Sequence, residues 1–258
     1  MANGPASGGR WIEVGPERLA GWLDSFAQRH GQVVAEAPSG GPGGVVPPRQ
    51  APSGGPGEVV PPRTGAAVVT FRAEDGAVAQ CHVPFPPFPP LPPAGPDAPA
   101  ADWAERIRAH ANADRTVGVL LVRLGGYATG VFTGPAARLV ASKVGSRLVH
   151  GRSAAGGQSQ QRFARRREKQ ASEALGAAAA TAAAVFGAYE GKLDAVVLGG
   201  DRRAIAGLRD DARLRPYFGL AVERFLTVPD PRLAVLRTTP GLFRAVRIWL
   251  TEPPGPAR

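Results

Sequence analysis

The sequence predicts an α/β layer fold, and three observations predict it. Residues 116–122, 127–133 and 138–149 are three neighbouring strand-like runs. One long helical pattern follows, from about Gln160 to Tyr189. Strand and helix patterns then alternate towards the end of the chain. Strands followed by helix–strand alternation bury their apolar faces most simply as helices layered on a sheet.

The elements follow in order. Residues 15–30 read as an amphipathic helix: Leu19, Trp22, Leu23 and Phe26 recur at helical spacing, and Pro16 suits its first turn. Residues 37–50 are then repeated as 51–64, the copies differing only at Gly44/Glu58 and Gln50/Thr64. Their proline and glycine content predicts a disordered insertion rather than a packed element. Residues 66–72 and 77–83 read as strands around the turn residues Glu74, Asp75 and Gly76. Residues 84–99 form a second proline tract, expected as a stiff polyproline II linker. A short helix at 102–111 carries Trp103 and Ile107.

The compact core is expected from near Arg115. Residues 116–122 are apolar throughout and read as a buried strand. Residues 127–133 are its hairpin partner after Gly125-Gly126, and 138–149 supply a third strand with Val140, Val144 and Leu148 as the apolar candidates. In the long helix, Ser159 is placed to cap the N-terminus, and Leu175, Ala178, Ala182, Phe186 and Tyr189 form the core stripe. A buried strand at 195–198 ends at Gly199-Gly200-Asp201. A helix is expected over 202–213, a short strand over 225–228, and a helix beginning at 233–236 that Thr239-Pro240 interrupts. Residues 243–250 fit either helix or strand.

Composition narrows the partners. The chain has 31 Lys and Arg against 21 Asp and Glu, a net charge of +10, which favours a polyanion. Cys81 is the only cysteine, so no intramolecular disulfide and no cysteine-cluster metal site can form. Beside His82 it reads as a small buried hydrophobe rather than a nucleophile. Residues 1–13 have no apolar signal core, and no segment reaches the roughly 20 apolar residues of a membrane span. The expectation is a cytoplasmic protein with no membrane partner.

The stretch richest in chemical information is His150-Gly151-Arg152, followed by Gly156-Gly157-Gln158-Ser159-Gln160-Gln161 and Arg162-Phe163-Ala164-Arg165. From Lys143 to Gln170 the basic residues are Lys143, Arg147, Arg152, Arg162, Arg165, Arg166, Arg167 and Lys169. Glu168 is the only acid, so the window carries 8 − 1 = +7. Arg162, Arg165, Arg166 and Lys169 stand at i, i+3, i+4 and i+7, one stripe of a helix suited to neutralising phosphates. A glycine pair lets the main chain approach a reacting group closely, and a neutral glutamine can orient water without repelling phosphate. An ester hydrolysis additionally needs the developing oxyanion to be stabilised, which a backbone N–H can do.

These motifs, in this order, resemble the loop that archaeal and eukaryotic class I peptide-chain release factors insert into the peptidyl transferase centre. The arrangement looks like the actinobacterial branch of Vms-like release-factor-domain peptidyl-tRNA hydrolases. The resemblance spans roughly residues 115–250. It implies an RNase H-like mixed sheet with flanking helices, as in the central domain of class I release factors. It also implies cleavage of the peptidyl-tRNA ester with Gly156, Gly157 and Gln158 at the catalytic tip. His150, Arg152, Arg162, Arg165, Arg166 and Lys169 become the expected RNA contacts.

The organisation then expected is an N-terminal helical segment at 1–36, a disordered tandem-repeat insertion at 37–64 and a strand pair at 65–84. A proline-rich linker at 85–101 and a release-factor-like catalytic domain at 102–258 complete it. Three residues, Ser153-Ala154-Ala155, lengthen the loop relative to the termination factors, and relatives use a glutamine in a Gly-Gly-Ser-Gln loop, so Gln160 is the alternative catalytic residue. Nothing in the chain resembles a stop-codon-reading or GTPase-recruiting domain. The expected activity is therefore codon-independent rescue of stalled nascent chains. The expected partners are the large ribosomal subunit, ribosomal RNA and peptidyl-tRNA, engaged by a monomer with no cofactor or metal. Two alternatives stand beside it. One is a non-catalytic ribosomal RNA-binding module. The other is a metal-dependent nuclease using Asp194, Asp201, Asp210 and Asp211.

Overall fold

A computed structural model describes residues 9–36, 67–88, 99–123, 126–146 and 159–253; for 159–168 it describes the backbone alone. The tandem repeat, residues 89–98 of the second proline tract, Leu148 and the glycine-rich tip lie outside the described residues. The chain forms two compact units, Met1–Asn112 with Arg244–Arg258, and Ala113–Phe243.

In the first unit, β1 (Arg10–Val14), β2 (Val33–Glu36), β3 (Val68–Ala73), β4 (Val78–His82) and β10 (Val246–Thr251) make an antiparallel sheet. Its order is β1-β10-β4-β3-β2. Two helices, α1 (Leu19–His30) and α2 (Ala100–Ala111), cover one face. The alternation of the strands decides which face: Val69, Phe71, Ala79, Cys81, Val246, Ile248 and Leu250 point inward onto Leu19, Leu23, Phe26, Trp103 and Ile107. The ambiguity at 243–250 resolves as strand for this reason. Ile248 is wholly buried there, a burial that contributes roughly 1.5–3 kcal/mol. Both this strand and α2 belong to the first unit, since periodicity alone does not reveal which sheet a strand joins.

In the second unit, β5 (Val117–Arg123), β6 (Gly126–Thr133), β7 (Arg138–Ser146), β8 (Ala195–Gly200) and β9 (Ala221–Leu226) make a mixed sheet in the order β7-β6-β5-β8-β9. Counted within the unit, that is 3-2-1-4-5, with only β6 antiparallel to the rest. This is the α/β layer fold that the sequence predicts, in the RNase H-like mixed form that the resemblance implies. One face packs on α3 (Ser159–Gly187) and α4 (Arg202–Ala206), through Ala178, Ala182, Phe186 and Ile205 against Leu120, Val122, Val196 and Leu198. The other face receives α6 (Leu233–Phe243), whose Phe243 meets Phe132 edge-on at 5.8 Å.

Three local expectations change. The helix expected over 202–213 stops at Ala206, continues as turns, and restarts as α5 (Arg215–Phe218). The Gly207 N–H closes α4 on the Arg203 carbonyl, and the Asp211 carboxylate bonds the Arg213 amide, a side-chain turn that competes with helix. Conversely, Thr239-Pro240 does not interrupt α6. Pro240 has no N–H for the Leu236 carbonyl, and the buried Thr239 hydroxyl donates to that oxygen instead, at 2.7 Å. Finally, Val140 and Val144 are 37% and 42% exposed, not core residues. β7 is an edge strand, and a register shift opposite Val131/Phe132 throws Val140 out of alternation.

Candidate functional site

The expected catalytic loop connects β7, whose last residue is Ser146, to α3, whose first is Ser159. One side chain links the strand end to the helix that this connection joins. Tyr127 pairs with Gly145 across the β6–β7 ladder, and a Cβ on Gly145 would run into the Tyr127 ring. Glycine at 145 therefore lets the ring cross the strand. On its far side the Tyr127 hydroxyl lies 3.0 Å from the hydroxyl of Thr181 on α3.

Thr181 is 22 residues into α3, so at 1.5 Å per residue the helix N-terminus lies about 33 Å further along the axis. Among the described side chains of the helix, buried positions begin at Ala178, and Lys169 is exposed. Gln160, Arg162, Arg165 and Arg166 fall on the α3 backbone, with positions 162, 165, 166 and 169 sharing one helical face. His150, Arg152, Gly156, Gly157 and Gln158 lie outside the described residues.

The sheet end from which the loop leaves carries arginines that motif reading did not single out. Ser146 pairs with Gly126, Gly126 with Arg123, and Val122 with Gly200. Gly200 has φ +98°, and a Cβ there would strike the Val122 carbonyl oxygen, so the Gly-Gly-Asp turn requires glycine. The Asp201 N–H donates to the Val122 carbonyl at 2.7 Å, and its carboxylate accepts from the amides of Arg203 and Ala204, capping α4. Around this turn, the Arg202 guanidinium lies 4.3 Å over the Phe225 ring. Arg123 donates to the Val228 carbonyl at 2.8 Å, 3.8 Å from Asp230. Arg123, Arg202 and Arg203 are exposed.

The nuclease carboxylates are engaged elsewhere. Asp194 accepts from the Thr116 amide at 2.7 Å, Asp201 caps α4, and Asp211 is held below the usual carboxylate range by its hydrogen bonds from Arg213. Asp210 is exposed. Among the described residues no three His, Cys, Asp or Glu gather as a metal site. Cys81 is fully buried, and burial pushes its thiol pKa up, away from nucleophilic use.

Charge divides between the units in a way that composition hides. Ala113–Phe243 holds 20 Lys and Arg against 10 Asp and Glu, a net +10, whereas the rest of the chain holds 11 against 11. The whole excess therefore sits in the unit that carries the loop and α3.

A family model for the Actinobacteria/chloroflexi VLRF1 release factor matches residues 115–249, just over half of the chain. The chain belongs to this VLRF1 family. Its VLRF1 segment takes in all five strands of the second unit and runs into β10. Among solved structures, the chain is similar to the Vms1 mitochondrial localization core, at 11% identity and TM-score 0.37, over 72% of this chain and 76% of that one. It is also similar to the archaeal translation termination factor aRF1, at 14% identity and TM-score 0.32, over 69% of this chain and 50% of that one. A further archaeal protein matches at 17% identity and TM-score 0.32, over 64% and 47%. The VLRF1 chain thus spans about half the length of the archaeal proteins it matches. No curated protein matches it. Among the described residues, no helix is long and apolar enough to cross a membrane.

Proposed function

We propose that this VLRF1-family protein is a codon-independent peptidyl-tRNA hydrolase that releases nascent chains from stalled ribosomes or large subunits. The observation that carries the reading is the position of Gly156-Gly157-Gln158. It falls on the connection between the end of β7 and the basic N-terminal part of α3, within a family named for release factors. The +10 of the second unit supports a ribosomal RNA partner, since phosphate neutralisation drives such binding. The positive end of the α3 dipole adds to that attraction.

In this reading, Gly156 and Gly157 let the main chain approach the ester, and the Gln158 backbone N–H stabilises the oxyanion while its amide orients water. Proton transfer falls to the substrate ribose and ribosomal RNA, so the protein needs no acid or base of its own. Positions 162, 165, 166 and 169, with His150 and Arg152, contact phosphates.

The test is single-turnover release of nascent chain from purified stalled large subunits. Release by the unaltered protein, abolished by Gln158→Ala and retained by Gln160→Ala, supports the assignment; the reverse pattern transfers the role to Gln160. Binding to subunits without release in the unaltered protein overturns catalysis in favour of an RNA-binding module.

A further inference from the structure

The face of the first unit's sheet that α1 and α2 leave uncovered carries an aromatic cluster with no part in the proposed hydrolysis. Trp11 on β1 is 41% exposed, the largest exposed aromatic side chain among the described residues. Its ring lies 5.1 Å from that of Trp249 on β10 and 5.0 Å from that of His82 on β4, and the Arg247 guanidinium sits 4.3 Å over it. Trp11 is exposed and the Trp249 and His82 rings beside it are half-buried, and an exposed indole on a sheet face marks an interaction surface rather than a core.

Charge argues against a nucleic acid here. Glu13 stands 3.9 Å from Arg247, Glu36 is paired with Arg72 at 2.7 Å, and the first unit has no net charge. A neutral ligand with flat, rigid apolar groups fits better. Proline-rich polypeptide has that chemistry: its rings stack on indoles, its backbone is already extended, and its free carbonyls accept from indole N–H groups.

The chain supplies such a segment at the border of the face. Thirty residues, 37–66, separate Glu36 of β2 from Ala67. Ala67 accepts from the Val83 amide at 2.8 Å, and Val68 pairs directly with His82, whose ring touches Trp11. Strands lie about 4.8 Å apart, and Trp11 on β1 is three strands from β3, about 14 Å from the point where the chain re-enters the sheet. Pro61-Pro62-Arg63 precedes Ala67 by a handful of residues, and five extended residues reach about 16 Å.

We propose that the Trp11–Trp249–His82 face binds the chain's own proline-rich repeat through residues 59–63. The attachment at Ala67 gives an effective concentration on the order of millimolar, so a modest intrinsic affinity suffices. This inference is independent of the hydrolase reading.

The test follows indole N–H resonances by NMR in three proteins: the full chain, a chain lacking 37–64, and the full chain with Pro61→Ala and Pro62→Ala. The expected result is that both changes move the Trp11 and Trp249 resonances together while buried Trp103 stays fixed. A synthetic peptide of residues 57–66 added to the shortened chain restores the original positions with a Kd below about 1 mM. Trp11→Ala weakens that binding at least tenfold. Coincident Trp11 and Trp249 resonances in all three proteins overturn the proposal, as does a single-stranded RNA moving them where the peptide does not. Should the shortened chain fail to fold, the double proline substitution decides alone.

Discussion

The hydroxyls of Tyr127 and Thr181 meet at 3.0 Å, joining the outer hairpin of the sheet to the long helix. This bond ties the strand that pairs with β7 to the helix that follows the candidate catalytic loop. A half-buried hydrogen bond of this kind contributes about 0.5–1.5 kcal/mol. Tyr127→Phe is therefore expected to lower unfolding stability by about that amount, read from urea midpoints. Gly145→Ala is expected to cost more, because its Cβ displaces the ring and breaks the bond as well. If both variants match the parent in stability and in nascent-chain release, the clamp has no role.

Two buried threonines make opposite predictions. The Thr239 hydroxyl satisfies the Leu236 carbonyl that Pro240 leaves without a donor, whereas the Thr129 hydroxyl is buried without a hydrogen-bond partner among the described residues. Thr239→Val strands a carbonyl and is expected to destabilise by about 1–3 kcal/mol. Thr129→Val removes an unpaired polar atom at nearly constant shape, and is expected to be neutral or stabilising by about 1 kcal/mol. Equal losses in the two variants would contradict this account.

The first unit is expected to lose stability in mild acid through His82. Burial chiefly, with the nearby Arg247 charge, pushes its pKa down to about 4. An unfolded histidine titrates near 6.5, so between these values the unfolded chain binds the extra proton. Stability is then lost as pH falls from about 6.5 to about 4, by an amount approaching 3 kcal/mol, and His82 contributes no pH dependence above that window. His82→Phe should flatten this part of the stability profile; an unchanged profile would show that other groups control it.

Ribosome binding should weaken steeply with salt. If positions 162, 165, 166 and 169 each neutralise one phosphate, log K falls against log salt with a slope of about −3. Each Arg→Ala change among them should reduce the steepness by about one. A flat dependence would remove the role assigned to the helix stripe.

Removing residues 37–64 should leave nascent-chain release within about twofold, because the repeat lies outside the VLRF1 segment. Loss of release with retained folding would tie the repeat to the activity.

Much of the fold was legible in local pattern. The period of Leu19, Leu23 and Phe26 marked α1, and the apolar run of 117–122 marked the central strand of the second unit. The small-residue stripe of Ala178, Ala182 and Phe186 marked α3. What failed was set by contacts distant in sequence or by single side-chain bonds. Val140 and Val144 look like core residues until β7 proves to be an edge. Pro240 looks like a helix stop until Thr239 supplies the missing donor. The loop motif was readable as a motif, but Arg123, Arg202 and Arg203 carried no signal until the sheet brought their turns to the end where the loop departs.

By itself the sequence determined most of the element types of the second unit, the basic character, and the glycine-rich tip with its arginine-bearing helix, because periodicity, charge and backbone permissiveness are local properties. Only the tertiary structure decided that Val246–Thr251 completes the first sheet rather than the second, and that the whole excess of positive charge belongs to one unit. It also decided that Trp11, Trp249 and His82, far apart in the chain, share one face of the first sheet. Strand partnership is chosen by which apolar faces can be buried together, and that choice cannot be made within any one segment.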